Sequence, residues 1–194
     1  MLCSAILVST LLAGAASRSA DNAGSVDLLT PEVYSLYSTI YRSETGSGEV
    51  LAIAAKPLSF PRPLTCLRPR TREEREIVEA ARNQVIGQTE WKRQFDFGRA
   101  YILIPPAEVS KAIDCIQYPT TKGVPATGCK PYERLHYVWS LSIPIFNKNH
   151  TRALVAASRA CGGLCGDGGV FVYHKTGGRW ELEKDSFAWC RWVS

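Results

Sequence analysis

The stretch from Leu135 to Ser194 constrains this chain most. Segments rich in β-branched and aromatic residues alternate there with short turn-forming clusters. Val138 to Phe146 stops at Asn147-Lys-Asn149, and Ala153 to Ala160 follows. The glycine-rich run Cys161-Gly-Gly-Leu-Cys165-Gly-Asp-Gly-Gly169 then reverses the chain into a strand from Val170 to Lys175. Gly177-Gly178 is a two-residue hairpin signal. Arg179 to Lys184 alternates, with Trp180 and Leu182 on one face, and Phe187 to Val193 comes last. Connections this short favour neighbouring antiparallel strands over crossover helices.

Ahead of this run, helices and strands alternate. Thr30-Pro31-Glu32 has a capping residue, a proline suited to the first helical position and an acid at the positive end of the dipole. Val33, Leu36, Tyr37 and Ile40 recur at helical spacing, widened by Tyr34 and Tyr41. That stripe reads as a helix laying aromatics on a sheet, with a ligand-facing surface as the rival. Val50 to Ala55 and Ala100 to Ile104 read as short buried strands. Thr71 and Glu74 form a capping box opening a helix through Ile77, Val78, Ala81 and Val85 to Gly87. Ala107 to Ile113 reads as a short helix behind Pro105-Pro106. The pattern predicts an α+β fold: a largely antiparallel sheet of five to seven strands, with two or three helices packed on one face.

The 194 residues suit one domain, and 45% hydrophobic residues can build a core. Residues 2–16 form an apolar run too short to span a bilayer, followed by small residues that fit a cleavage site. Residues 1–20 therefore read as a secretory signal peptide, the alternative being a buried N-terminal helix. Residues 21–194 read as a single α+β domain. No second apolar segment of spanning length occurs. Six cysteines follow the leader, and an even count in an exported chain points to disulfides. Proximity suggests Cys161–Cys165 across the glycine loop and Cys115–Cys129 across the proline- and glycine-containing loop between them. Cys66–Cys190 then ties the middle of the chain to its last strand.

Ser142-Ile-Pro-Ile-Phe146, Arg152-Ala-Leu-Val155, Cys161-Gly-Gly-Leu-Cys-Gly166, Lys175, Gly178 and Trp180 carry a resemblance. Together they resemble the tail of uncharacterised bacterial exported proteins that share a Cys-Gly-x-x-Cys-Gly loop and a Lys-x-x-Gly-x-Trp hairpin. The resemblance covers roughly the last third of the chain. It implies export and a strand-rich tail, and carries over no activity.

Three histidines are present: His136 close to Glu133, His150 in the turn after Asn147, and His174 on a predicted strand. Histidine titrates near neutrality and suits acid–base work. His136 and His174, with Glu133, would serve a small secreted nuclease-like hydrolase on a polyanion if the fold joined them. Their spacing matches no metal motif, no phosphate loop or serine-nucleophile elbow occurs, and no cofactor is expected. The net charge of +5 is mild, and the basic residues are too dispersed to point to nucleic acid. The densest basic spot is Arg68, Arg70 and Arg72, which reads as a solvated loop or as a contact for an acidic partner. Phe187 and Trp189 share one strand face and Trp192 takes the other, making Trp192 a candidate for stacking on a carbohydrate or peptide. Asn149-His-Thr151 is a glycosylation sequon by pattern. The leading expectation is an exported, non-catalytic protein, binding or structural, in the periplasm or outside the cell. An anionic or carbohydrate ligand is its possible partner.

Overall fold

The computed structural model describes residues 28–43, 50–62, 64–117, 128–162, 165–184, 186–188 and 190–193. The expected signal peptide, residues 1–20, lies outside them, as do Trp189 and residues 118–127.

Its centre is a long hairpin of β5 (Arg152–Ala160) and β6 (Gly166–Thr176), paired over nine residues from Arg152↔His174 to Ala160↔Gly166. Both flanks of the hairpin are built in two pieces. On the β5 side lie β3 (Val138–Leu141) and β4 (Ile145–Phe146). On the β6 side lie β7 (Arg179–Leu182) and β8 (Cys190–Val193). These pairings are all antiparallel. Beyond β3 the sheet continues through β1 (Leu51–Ala54) to β2 (Tyr101–Ile104), and both of those ladders are parallel. The sheet thus has eight strands, more than the five to seven expected, and is mixed with an antiparallel majority. The extra strand comes from the expected segment 138–146, which divides at Ser142–Pro144. Proline has no N–H for the ladder. Ser142, fully buried, closes the gap: its N–H donates to the Ala156 carbonyl at 2.8 Å and its Oγ accepts from the Ala156 N–H at 2.8 Å.

The helices do not share one face, and the expectation that they would is corrected. α1 (Pro31–Ser43) covers the face that carries Leu51, Ile53, Leu141, Ala153, Val155, Tyr173 and Trp180. α2 (Arg72–Asn83) covers the opposite face, against Leu154, Ala156, Val170 and Val172. α3 (Val109–Gln117) lies on the α2 side, against Ala52, Ala54 and Val138. The reason is visible in β5, where 153–157 are all buried. Successive strand residues point to opposite faces, so a continuous apolar run needs a cover on each side.

Local signals mostly place the elements. Pro31 opens α1, and Thr71 with Glu74 forms the capping box of α2. α2 ends sooner than its periodicity suggests: Gln84 is extended, and Gly87, at φ +59°, belongs to a separate turn beyond it. Gln84 is drawn off the helix by its Nε2, which donates to the Ile143 carbonyl at 3.1 Å. Gly177 and Gly178 both take positive φ in the β6–β7 turn, as a two-residue hairpin of this type requires. The glycine-rich run differs from its reading as one reversing loop. Only the first part turns, and Gly166, Gly168 and Gly169 lie inside β6.

The cysteines pair as Cys66–Cys190, Cys115–Cys129 and Cys161–Cys165, with Cα separations of 5.4, 5.4 and 5.2 Å. Cys66–Cys190 spans 124 residues, against 14 and 4 for the others. In the chain-entropy picture these closures are worth about 5, 3 and 2 kcal/mol respectively. Replacing each pair by serines should therefore lower the urea-unfolding free energy most for Cys66/Cys190 and least for Cys161/Cys165. Equal losses would contradict that ordering.

Glu74 links α2 to the sheet. Its carboxylate accepts from the backbone N–H of Arg70 at 2.7 Å and of Thr71 at 3.0 Å, and pairs with Arg152 at 3.3 Å. Arg152 also binds Glu183 at 2.6 Å and stands over the Phe187 ring. Burial works to raise the pKa of Glu74, but the bonds from Arg70, Thr71 and Arg152 outweigh it and hold the carboxyl below its ordinary value. A depressed carboxylate contributes stability above the ordinary carboxylate range and loses it as the pH falls through its folded value. Glu74→Gln should cost about 1–2 kcal/mol at pH 7. Urea titrations in the ordinary carboxylate range and below it should show that cost shrinking as the pH falls.

Candidate functional site

A cleft of about 350 Å³ opens between α1 and the sheet. Its roof is Tyr37, Ile40 and Tyr41 of α1, which recur on one side of the helix at i, i+3 and i+4. Its floor is the same sheet face on three strands: Trp139 of β3, Val155, Ala157 and Arg159 of β5, and Asp167, Phe171 and Tyr173 of β6. Leu182 of β7 and Arg191, Trp192 and Val193 of β8 complete the rim.

Both ends of α1 are tied down. Near its start, Glu32 accepts from His150 Nδ1 at 2.5 Å and from Lys175 Nζ at 3.0 Å. Burial pushes the Glu32 pKa up, while these bonds outweigh it and hold the carboxylate below its usual value. Near its end, Arg42 pairs with Asp96 at 2.5 Å. Between them the aromatic face is packed edge-on: Tyr34 on Phe95, Tyr37 on Trp91, Tyr41 on Phe97 and Trp139, at centroid distances of 4.8, 5.8, 6.1 and 4.8 Å. Edge-to-face pairs add about 0.5–1.5 kcal/mol each beyond area burial. The buried Tyr37 hydroxyl donates to the Ser142 carbonyl at 2.6 Å, and burial drives its pKa far above the usual phenol value. Of the two readings of the tyrosine stripe, the structure shows the core-packing one, and Tyr37 and Tyr41 also line the cleft.

The charged groups of the cleft gather at one end. Arg159 Nε donates to Asp167 Oδ1 at 2.5 Å, a pair directly opposed across the β5–β6 ladder. The same guanidinium lies over the rings of Tyr137 and Trp139, 4.8 and 5.7 Å from their centroids. An arginine stacked on aromatic faces and held by a carboxylate edge has little rotational freedom left. Arg191 stands two rows along, at the register of Gly169.

Gly168 and Gly169 allow the two sides of this end to close. A Cβ on Gly168 would meet the Trp192 indole at 2.5 Å, and one on Gly169 would meet the Phe171 ring at 2.6 Å. Each aromatic side chain therefore lies on bare backbone. Trp192 reaches the rim of the cleft, but its ring is used against Gly168 and the α2-side core.

The other residues singled out in the sequence lie elsewhere. His136 is exposed just before β3, with Glu133 exposed in the preceding turn. His174 lies near the far end of β6, on the α2 side of the sheet, with Nε2 3.6 Å from Glu181 and a buried Nδ1 that has no hydrogen-bond partner. Since His174 pairs with Arg152 and Val138 with Ala160, His136 and His174 are separated by more than eight strand residues, about 26 Å. The fold does not bring them together. His150 faces the α1 side, stacked on Phe146 at 5.1 Å, with the sheet between it and His174. Arg68, Arg70 and Arg72 are exposed at the start of α2, where Arg72 pairs with Glu76 at 2.9 Å. Among the described residues, no group of three or more His, Cys, Asp or Glu side chains is arranged to hold a metal ion. No described helix is long and apolar enough to cross a membrane.

Sequence reasoning missed Arg159 and Asp167. The signal was available: once Ala153–Ala160 is a strand followed by a tight reversal, a charged residue near its end faces its opposite across the turn.

Gly168→Val should displace Trp192, shift tryptophan emission to the red and destabilise the fold by about 1–3 kcal/mol. Gly177→Val would be strained by its positive φ, but it has open space at its Cβ and should leave the emission unchanged. Identical emission from the two variants would contradict the assigned packing of Trp192.

Comparison of the chain with protein-family models, with curated proteins and with solved structures finds no significant match.

Proposed function

We propose that this chain is an exported, disulfide-stabilised α+β domain that binds a small molecule in the α1–sheet cleft without turning it over. The observation that carries the proposal is the composition of the cleft: a largely apolar and aromatic enclosure with its charged groups at one end. That is the general form of a small-molecule site, and its volume lies at the lower end of the usual range. The acid–base candidates His136 and His174 stand outside the lining and far from each other, which counts against the polyanion-hydrolase alternative. Export to the periplasm or the medium is supported by the leader-like residues 1–20 and by the pairing of all six cysteines that follow.

Two measurements test this reading. The neutral dye 1-anilinonaphthalene should bind saturably with a rise in emission, and Ala157→Leu, which adds bulk to the floor, should weaken that binding about tenfold or more. Linear, unsaturable uptake, or equal affinity in the variant, would remove the cleft as the binding site. Protein recovered from outside the cytoplasm should gain two hydrogens per bridge in mass on reduction, and free thiols in that material would count against the export reading.

A further inference from the structure

We infer that the ligand of this cleft is an amphipathic monocarboxylate, with its anionic head at the Arg159–Arg191 end and a single apolar chain lying along β6. The inference rests on the binding reading above and narrows it to one ligand class.

Three features point the same way. The first is charge: two arginines against one aspartate leave the lining with an excess of one positive charge. Arg159 and Asp167 are about half exposed and Arg191 is exposed, so the attraction of this charge for an anion weakens with added salt. The second is preorganisation. Arg159 is fixed by Asp167 along its Nε edge and by Tyr137 and Trp139 beneath its plane. A guanidinium already held in place loses little freedom when it meets a carboxylate, whose two oxygens match its fork of donors.

The third feature is the direction of polarity. The floor follows β6 from Asp167 to Tyr173, six residues, or about 20 Å. The charged side chains belong to the rows of Asp167 and Gly169. Past them the lining is Val155, Phe171, Tyr173 and Leu182, with Tyr37 and Ile40 above, apolar except for the tyrosine hydroxyls. The Tyr37 hydroxyl at that end is already engaged by the Ser142 carbonyl. A sugar carries hydroxyls on all sides and would press several of them against this wall without partners. A molecule charged at one end and apolar along its length matches both halves. The exposed Leu182 and Val193, rare among the described large apolar residues, stand at the rim where such a chain would enter.

The test is displacement of bound 1-anilinonaphthalene by decanoate, decanol and maltose at low salt. Decanoate should displace the dye at concentrations at least tenfold lower than decanol, and maltose should not displace it. Arg191→Gln should bring decanoate to the level of decanol, and Arg191→Lys should keep part of the preference. Added salt should narrow the gap between decanoate and decanol in the unaltered protein, a readout that needs no variant to fold. Equal displacement by decanoate and decanol, or displacement by maltose, would overturn the carboxylate inference and leave the binding cleft standing. Failure of the dye itself to bind would overturn the binding reading on which it rests.

Discussion

Burial of β5 and β6 on both faces is the constraint from which the rest of the structure follows. The nine-residue ladder between them is central to the sheet, and β5 alternates core residues to both sides without a polar position from Ala153 to Ala157. One covering layer could not satisfy it. α1 with the aromatic segment from Trp91 to Phe97 closes one side, and α2 with the 58–67 segment closes the other. Cys66–Cys190 joins that second cover to β8, so the link of longest sequence reach fastens a layer to the sheet it protects.

The hairpin is longer than any strand that flanks it, and its neighbours are therefore pieced together. Where β3 gives way to β4, Pro144 removes a donor and Ser142 makes up the ladder through its own side chain, while Tyr37 satisfies the Ser142 carbonyl. Where β8 gives way to β7, the Glu183 N–H reaches the Val172 carbonyl. The cleft follows from this construction. Its rim residues Leu182 and Val193 belong to the two pieces flanking β6, and Phe171 lies between their registers. α1 bridges above without filling the space, because its ends are held by Glu32 and Arg42.

Elements with a local cause were legible from the residues. The proline start of α1, the Thr71–Glu74 box and the paired glycines of the β6–β7 turn act within a few positions of themselves, and the structure contains all three. Readings that depended on distant partners did worse. The end of α2 moved because Ile143, remote in sequence, claims Gln84. The glycine-rich run read as a loop because glycine signals a turn. Gly168 and Gly169 are instead strand residues whose missing side chains admit the Trp192 ring and the Cys190 carbonyl of β8, a need that arises only when β8 pairs with β6.

The sequence by itself determined the class of fold, the even set of cysteines and the alternation that makes the last third a sheet. These depend on residue type and on spacing along the chain. Tertiary structure alone decided that β1 runs parallel to both of its neighbours, that the helices divide between two faces, and that His136 and His174 stand at opposite ends of a strand ladder. It also decided that Tyr41, Trp139, Arg159 and Arg191 enclose one space. Those residues come from four separate elements. Only the register of the strands and the height at which α1 crosses them bring the residues together, and neither quantity is written in any local pattern.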